Sequence, residues 1–287
     1  MQIVRPIFIL GSGRSGTSIL YNLLATHPDV CWFSNIVNSY PNHPELAIMN
    51  RITDVPLIRG YIKKSIIKSS STSFIYPSEG ENIYTYCGFK DDQKMLEPTP
   101  DIKMDKFKKI VALHLALTGK QRFLNKRTAN TQRLGVIQAL FPDAFYIHII
   151  RDGRAVSYSL LQSSWWPNVR LWWLKGKQPS GWNREGKEPI SLCALHWKHN
   201  VEEIINYSKK LAPRYIEIRY EDLVNDVVGS LKRLLTFCKL SLSKTYLSNL
   251  PNALPNMNAK WSAELTRHQK EILQKEIGPF AKSMGYV

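Results

Sequence analysis

The chain has 287 residues, 44% of them apolar and 22% charged, and carries 39 lysines and arginines against 23 acids, a formal net charge of +16. The apolar fraction is ample for a buried core, and the length admits one large α/β domain or two small ones, with one domain over residues 1–287 the simpler expectation. The positive excess suits an anionic ligand, while finger spacing, an aromatic ribonucleoprotein motif and a basic helix joined to heptads are all missing, which sets nucleic acid aside as a partner.

Cys31, Cys87, Cys193 and Cys238 lie far apart with no Cys-x-x-Cys pair, so neither a zinc site nor a disulfide framework is signalled and no metal is expected. No segment approaches the ~20 apolar residues that span a membrane. Met1 to Pro6 lead directly into the first apolar run and leave no room for a leader. A soluble, cytoplasmic protein is the expectation.

The first predicted element is a buried strand, Pro6-Ile7-Phe8-Ile9-Leu10, running into Gly11-Ser12-Gly13-Arg14-Ser15-Gly16-Thr17-Ser18 and then into a helix whose stripe is Ile19, Leu20, Leu23 and Leu24. A helix N-terminus behind a glycine-rich turn offers free amides to an anion, and Arg14, Ser15, Thr17 and Ser18 add charged and hydroxyl donors. The spacing Gly11-x-x-x-x-Gly16 nearly matches the nucleoside-triphosphate P-loop, but Thr17 stands where that motif needs a lysine for the β- and γ-phosphates. The cation has moved to Arg14.

The run Gly13-Arg14-Ser15-Gly16-Thr17-Ser18 after a strand, with His27-Pro28-Asp29-Val30 closing the helix, resembles the sulfotransferases that use 3′-phosphoadenosine 5′-phosphosulfate (PAPS). The likeness is nearer to the tyrosylprotein and carbohydrate branch than to the classical cytosolic branch, whose loop carries a lysine. It implies that Arg14, Ser15, Gly16, Thr17 and Ser18 hold the phosphosulfate.

Val30 to Phe33 reads as the next strand. Where the resembled tyrosylprotein enzymes place a glutamate that takes the acceptor proton, this chain has Ser34-Asn35, and neither is a general base. Residues 36 to about 105, broken by six prolines, predict loops and short helices. There Lys63, Lys64 and Lys68 with Ser69-Ser70-Ser71 read as a solvated face, whereas Glu79 and Glu81 flank Gly80 beside aromatic residues. Either acid is a candidate for the missing base, with two exposed loop acids as the alternative and His43, Glu45 and Asp54 as weaker candidates. His114 falls on the face of a helix predicted over Phe107 to Leu117.

Arg122-Phe123-Leu124-Asn125-Lys126 predicts a strand with Lys126 at its carboxyl end, where open α/β sheets put their ligands. The resemblance implies that this lysine neutralises charge on the oxygen between phosphate and sulfate. After a helix over Thr131 to Leu140, the strand Ala144 to Ile150 runs into Arg151, with Ser159 eight positions on, about two helical turns into the next helix. In the resembled family such a pair binds the 3′-phosphate that separates PAPS from ATP. Trp165, Trp166, Trp172, Trp173 and Trp182 then crowd a predicted lid over residues 164–190, either packing it or meeting the acceptor. A long helix from Trp197, a strand Tyr215 to Tyr220 and a helix from Glu221 with Leu223, Val227, Leu231, Leu234 and Cys238 on one side complete the pattern. The resemblance implies that Tyr220 lies close to the nucleotide and that Asn258 and Lys260 fold over it.

The expected architecture is a three-layer α/β/α fold with a central parallel sheet and a P-loop-like core, with stretches 30–105 and 164–190 on the substrate side. The expected activity is in-line transfer of the sulfuryl group from PAPS to a hydroxyl or amine of a small-molecule, natural-product or glycan acceptor. Adenosine 3′,5′-bisphosphate is released, with Arg14 and Lys126 stabilising charge and Glu79 or Glu81 taking the proton. A small-molecule kinase of the same architecture and a non-catalytic binder of PAPS or adenosine bisphosphate are the alternatives.

Overall fold

The strands Ile7–Leu10 and Phe145–Ile150 are buried at every position because helices cover both faces of the sheet that they form. The computed structural model describes residues 2–57, 59–68 and 73–286; Ser69 to Ser71 of the solvated run lie outside them. Five parallel strands, β1 (Ile7–Leu10), β2 (Val30–Cys31), β3 (Arg122–Lys126), β4 (Phe145–Ile150) and β5 (Tyr215–Arg219), lie in the order β2-β3-β1-β4-β5. The helices that matter here are α1 (Thr17–Ala25), α2 (Arg59–Lys68), α3 (Met104–Thr118), α4 (Leu134–Leu140), α5 (Gly153–Leu161), α6 (Pro189–Leu211), α7 (Tyr220–Asn225), α8 (Val227–Phe237) and α9 (Arg267–Ser283).

Alternation along β1 divides the core. Ile7 and Ile9 pack with α1, α2, α7 and α8, while Phe8 and Leu10 pack with α3 and α4 on the opposite face. A third cluster, around Trp197 of α6, joins α5, α6 and α9. The result is the α/β/α arrangement read from the sequence.

Three elements differ from that reading. The strand expected over 30–33 stops at Cys31, because the backbone beyond it finds its hydrogen bonds elsewhere: Ser78 N donates to Phe33 O at 2.7 Å, Asn35 N to Tyr76 O at 3.0 Å and Ile36 N to Phe74 O at 2.8 Å. The helix expected over 131–140 begins as a 3₁₀ stretch, Thr128–Arg133, before α4. The helix expected from Glu221 is two helices, broken at Asp226, which leaves helical geometry (φ −138°, ψ 86°) and caps α8 by accepting from Gly229 N at 2.8 Å. Stretch 30–105 holds the expected short elements, including a 3₁₀ helix over Pro44–Asp54 and a helix over Glu81–Tyr86.

Register places the functional ends of the strands. Ile9 is level with Lys126 on one side and Ile147 on the other, and Ile150 is level with Arg219. The glycine-rich turn, Lys126, Arg151 and Tyr220 therefore leave the sheet at the same edge. From β1 the chain turns toward β2, and from β4 toward β5, so the β1–β4 boundary is the switch point at which such sheets bind ligands.

Candidate active site

The turn after β1 is shaped by its glycines. Gly16 has φ 90°, and a Cβ there would lie 2.6 Å from the Tyr220 ring; at Gly11 (φ 150°) it would lie 2.7 Å from the Ile149 carbonyl oxygen. Arg14 also takes a left-handed conformation, φ 68°. The turn closes through Ser15 N donating to Ser12 O at 3.2 Å, and the helix ladder begins with Leu20 N to Gly16 O at 3.1 Å. The amides of residues 16 to 19 precede that ladder, where a helix has no acceptor of its own to offer them. Gly16, Thr17, Ser18 and Ile19 line a cavity of about 470 Å³, of the size of a small-molecule site.

The same cavity carries three cations and a hydroxyl in Arg14, Arg151, Lys260 and Ser159. Arg14 Nε donates to Ser159 Oγ at 2.8 Å, which ties the turn to α5. Arg151 is held on every nitrogen, donating to Arg14 O at 2.9 Å, Asn258 Oδ1 at 2.8 Å and Met257 O at 2.9 Å, with its guanidinium 4.3 Å above the Tyr220 ring. Burial lowers its pKa from the ordinary arginine value, while Tyr220 and Glu221 act in the opposite direction. An arginine remains cationic under such a shift. Trp197 Nε1 donates to Arg151 O at 3.1 Å, so the buried α6 tryptophan fixes the turn that presents this cation.

A second cavity, of about 230 Å³, lies beyond α1 and is lined by Tyr21, Asn35, Ile66, Tyr76, Glu79 and Lys126, among others. Ser18 lines both cavities. Lys126 is almost fully buried, at 4% side-chain exposure, and donates to Glu79 Oε1, whose carboxylate is 39% exposed. Asn125 fixes that acid from below, its Nδ2 donating to Glu79 O at 3.1 Å while its Oδ1 accepts from Tyr84 OH and Asn130 Nδ2. A lysine and a carboxylate thus face one cavity, beside the amide-lined end of the other.

Residues 6–244 match the Sulfotransferase family. The chain is a member of that family. The omega-hydroxy-beta-dihydromenaquinone-9 sulfotransferase of Mycobacterium tuberculosis is 23% identical to it over 305 residues, covering 98% of this chain and 75% of the relative. Among solved structures, a sulfotransferase from Mycobacterium avium matches with a TM-score of 0.62 at 15% identity, over 99% of this chain and 77% of that one. The sulfotransferase domain from the curacin biosynthetic pathway matches with a TM-score of 0.58 at 15% identity, over 98% and 99%. The two structures share the fold.

In this sulfotransferase the residues read from the sequence separate into groups. Arg14, Gly16, Thr17, Ser18, Arg151, Ser159, Tyr220 and Lys260 line the larger cavity, and Lys126 and Glu79 line the smaller. Ser15 is buried beneath the turn, and Asn258 stands behind Arg151. Glu81 is absent from the lining of the smaller cavity; it is the first residue of its helix and lies 3.5 Å from Arg127. Arg14, expected to act with Lys126, donates to Ser159 and lines the other cavity. His114 is buried in the core with Nδ1 2.8 Å from Ile110 O, and burial pushes its pKa down to about 4. Of the tryptophans, Trp166 is buried, and Trp172, Trp173 and Trp182 donate to Asn200, His196 and Glu188, so they pack the stretch. Trp165 is exposed, near Gly13 of the turn. The reading missed Tyr158, Gln162 and Met257 in the larger cavity, and Tyr21, Ile66 and Tyr76 in the smaller. Gln162, one turn beyond Ser159 on the same helix face, was within reach of a spacing argument. Among the described residues no helix is long and apolar enough to cross a membrane, and no group of three His, Cys, Asp or Glu is placed to hold a metal ion.

Proposed function

We propose that this sulfotransferase moves the sulfuryl group of PAPS to a hydroxyl of a largely apolar small molecule. The observation that carries the reading is the pair of cavities meeting at Ser18, one lined by cations and helix amides, the other by Lys126, Glu79 and aromatic rings. PAPS suits the larger cavity by charge: the glycines leave its backbone open, and two anion sites, the turn amides and the Arg14–Arg151–Ser159 group, match a nucleotide that carries a 5′-phosphosulfate and a separate 3′-phosphate.

In this arrangement the sulfate lies at the amides of residues 16 to 18, next to Ser18 and the smaller cavity. The acceptor oxygen attacks sulfur in line, the new O–S bond forms as the bond from sulfur to the bridging phosphate oxygen breaks, and that oxygen leaves with the electron pair. Lys126 moves from Glu79 to the bridging oxygen as the donor binds. Glu79, freed of its partner, accepts the hydroxyl proton. Fixed donors contribute most here, since charge grows on the leaving phosphate. Tyr21, Tyr76, Ile66 and Pro77 give one wall of the smaller cavity an apolar and aromatic surface beside the polar Ser18, Asn22, Asn35 and Ser65, which suits a hydroxyl on an apolar body, and the menaquinone-derivative sulfotransferase to which the chain is similar supports that choice over a glycan.

The test has two parts. Calorimetric titration should give tight binding of adenosine 3′,5′-bisphosphate and weak binding of ADP and ATP, and labelled PAPS should sulfate a prenyl alcohol such as farnesol in detergent but not a free sugar or a tyrosine peptide. Preference for ATP would return the chain to the kinase alternative. Tight bisphosphate binding without transfer to any hydroxyl would leave a binder.

A further inference from the structure

The sulfotransferase concentrates its exposed apolar side chains beside the acceptor cavity. Of the thirteen large apolar side chains exposed among the described residues, eight lie between Tyr40 and Phe74. In the 3₁₀ helix Pro44–Asp54 and its cap, Met49, Ile52 and Val55 recur at every third position, a spacing that eclipses side chains in such a helix and makes them one exposed ridge. Leu57 follows, 95% exposed, and then α2 presents Tyr61, 79% exposed, in line with exposed Lys64 and Lys68.

The charge of this face is predominantly positive. Residues 44–68 contain Arg51, Arg59, Lys63, Lys64 and Lys68 against two acids, Glu45 and Asp54. Asp54 lies 2.6 Å from Lys120, and Glu45 lies 2.8 Å from the His43 ring. Aliphatic and aromatic tips interspersed with long cationic side chains characterise a surface that lies on a bilayer interface. A protein interface is depleted of lysine at its core, and a second copy of this patch would meet it with like charge, so neither suits it as well. The patch also adjoins the smaller cavity: Ser65, one turn from Tyr61 and from Lys68 on α2, lines the cavity together with Ile66.

We propose that the face carrying Met49, Ile52, Leu57, Tyr61, Lys64 and Lys68 docks on an anionic lipid bilayer, so that an amphiphile held in the bilayer passes its hydroxyl to the cavity past Ser65. The inference rests on the apolar-acceptor reading for its purpose, although docking itself is measurable without any acceptor. The four substituted side chains below lie outside both cavities.

The experiment is flotation of the full chain with vesicles of pure phosphatidylcholine and of equal parts phosphatidylcholine and phosphatidylglycerol, in low and high salt. Wild-type protein should float with the anionic vesicles and be released only in part by salt, the apolar side chains holding a salt-resistant fraction. The double variant Lys64→Gln/Lys68→Gln should partition roughly thirtyfold more weakly, from the loss of about two surface lysine contacts, and Leu57→Ser/Tyr61→Ser should lose the salt-resistant fraction. Both variants should retain bisphosphate binding, which shows that they are folded. Equal flotation of wild type and both variants would overturn the proposal, because attraction by net charge alone is scarcely altered by two of 39 cations. Absence of flotation would overturn it as well, as would a dimer in sedimentation that Leu57→Ser/Tyr61→Ser dissolves. Flotation without sulfation of any lipid-like alcohol would remove the acceptor reading and leave the docking surface; sulfation in detergent without flotation would do the reverse.

Discussion

Lys126 and Arg151 line different cavities, and substitution should separate the roles proposed for them. Lys126→Ala should lower kcat roughly 100-fold or more, the scale of losing one fixed donor at a developing charge, while adenosine 3′,5′-bisphosphate binds as before. Arg151→Ala should weaken bisphosphate binding in the calorimeter, because its guanidinium holds Arg14, Asn258 and Met257 in place as well as facing the cavity. Equal loss of binding in both variants would show that Lys126 sits at the nucleotide and not at the reacting bond. The two glutamates allow a matched test: Glu79→Gln should reduce turnover by roughly 100-fold or more, the range of a general base, and Glu81→Gln should leave it near wild type. The sequence could not choose between them. The choice follows from Gly80, whose left-handed backbone (φ 78°) starts the helix at Glu81 and sends that side chain toward Arg127, leaving Glu79 on the cavity side.

At the level of elements, the parts readable in advance were those whose chemistry is contiguous: the β1 turn, the end of β3 at Lys126, and the eight-residue step from Arg151 to Ser159. The β1 turn and the Arg151 step follow apolar runs that read as buried strands, and β3, with only Phe123 and Leu124 apolar, likewise ends in a donor. The smaller cavity was opaque because α1, α2 and the segment around Tyr76 each bring only a few residues to it, and short elements broken by prolines leave no periodicity to follow. The break between α7 and α8 was hidden for another reason. The apolar stripe continues across it, and only the side chain of Asp226 turning back on Gly229 N reveals the cap. Asp226→Ala should therefore lower stability by about 1 kcal/mol in denaturant unfolding, with transfer activity unchanged. A loss of activity as well would mean that the α7 end also orders Tyr220.

Taken as a whole, the molecule buries several neutral imidazoles. Burial pushes His114 down to about 4, and His148 and His196 down to about 3, from an ordinary value of about 6.5. Their unfolded forms take up protons below about pH 6.5 and the folded forms do not, so their contribution to stability is complete above that pH and is lost progressively as pH falls toward 4. Calorimetric melting should be flat from pH 8 to 7 and fall between pH 6.5 and 5, before most carboxylates titrate. An unchanged melting temperature across that interval would mean that the imidazoles ionise in place. The shared wall at Ser18 has a kinetic consequence at this same scale. Since the two cavities share only Ser18 among their lining residues, the proposed assignment lets a fresh acceptor enter while the spent nucleotide is still bound. The resulting dead-end complex would make velocity pass through a maximum and then decline as acceptor concentration rises, and extra PAPS would not relieve the decline, because PAPS binds only enzyme that has already lost the spent nucleotide.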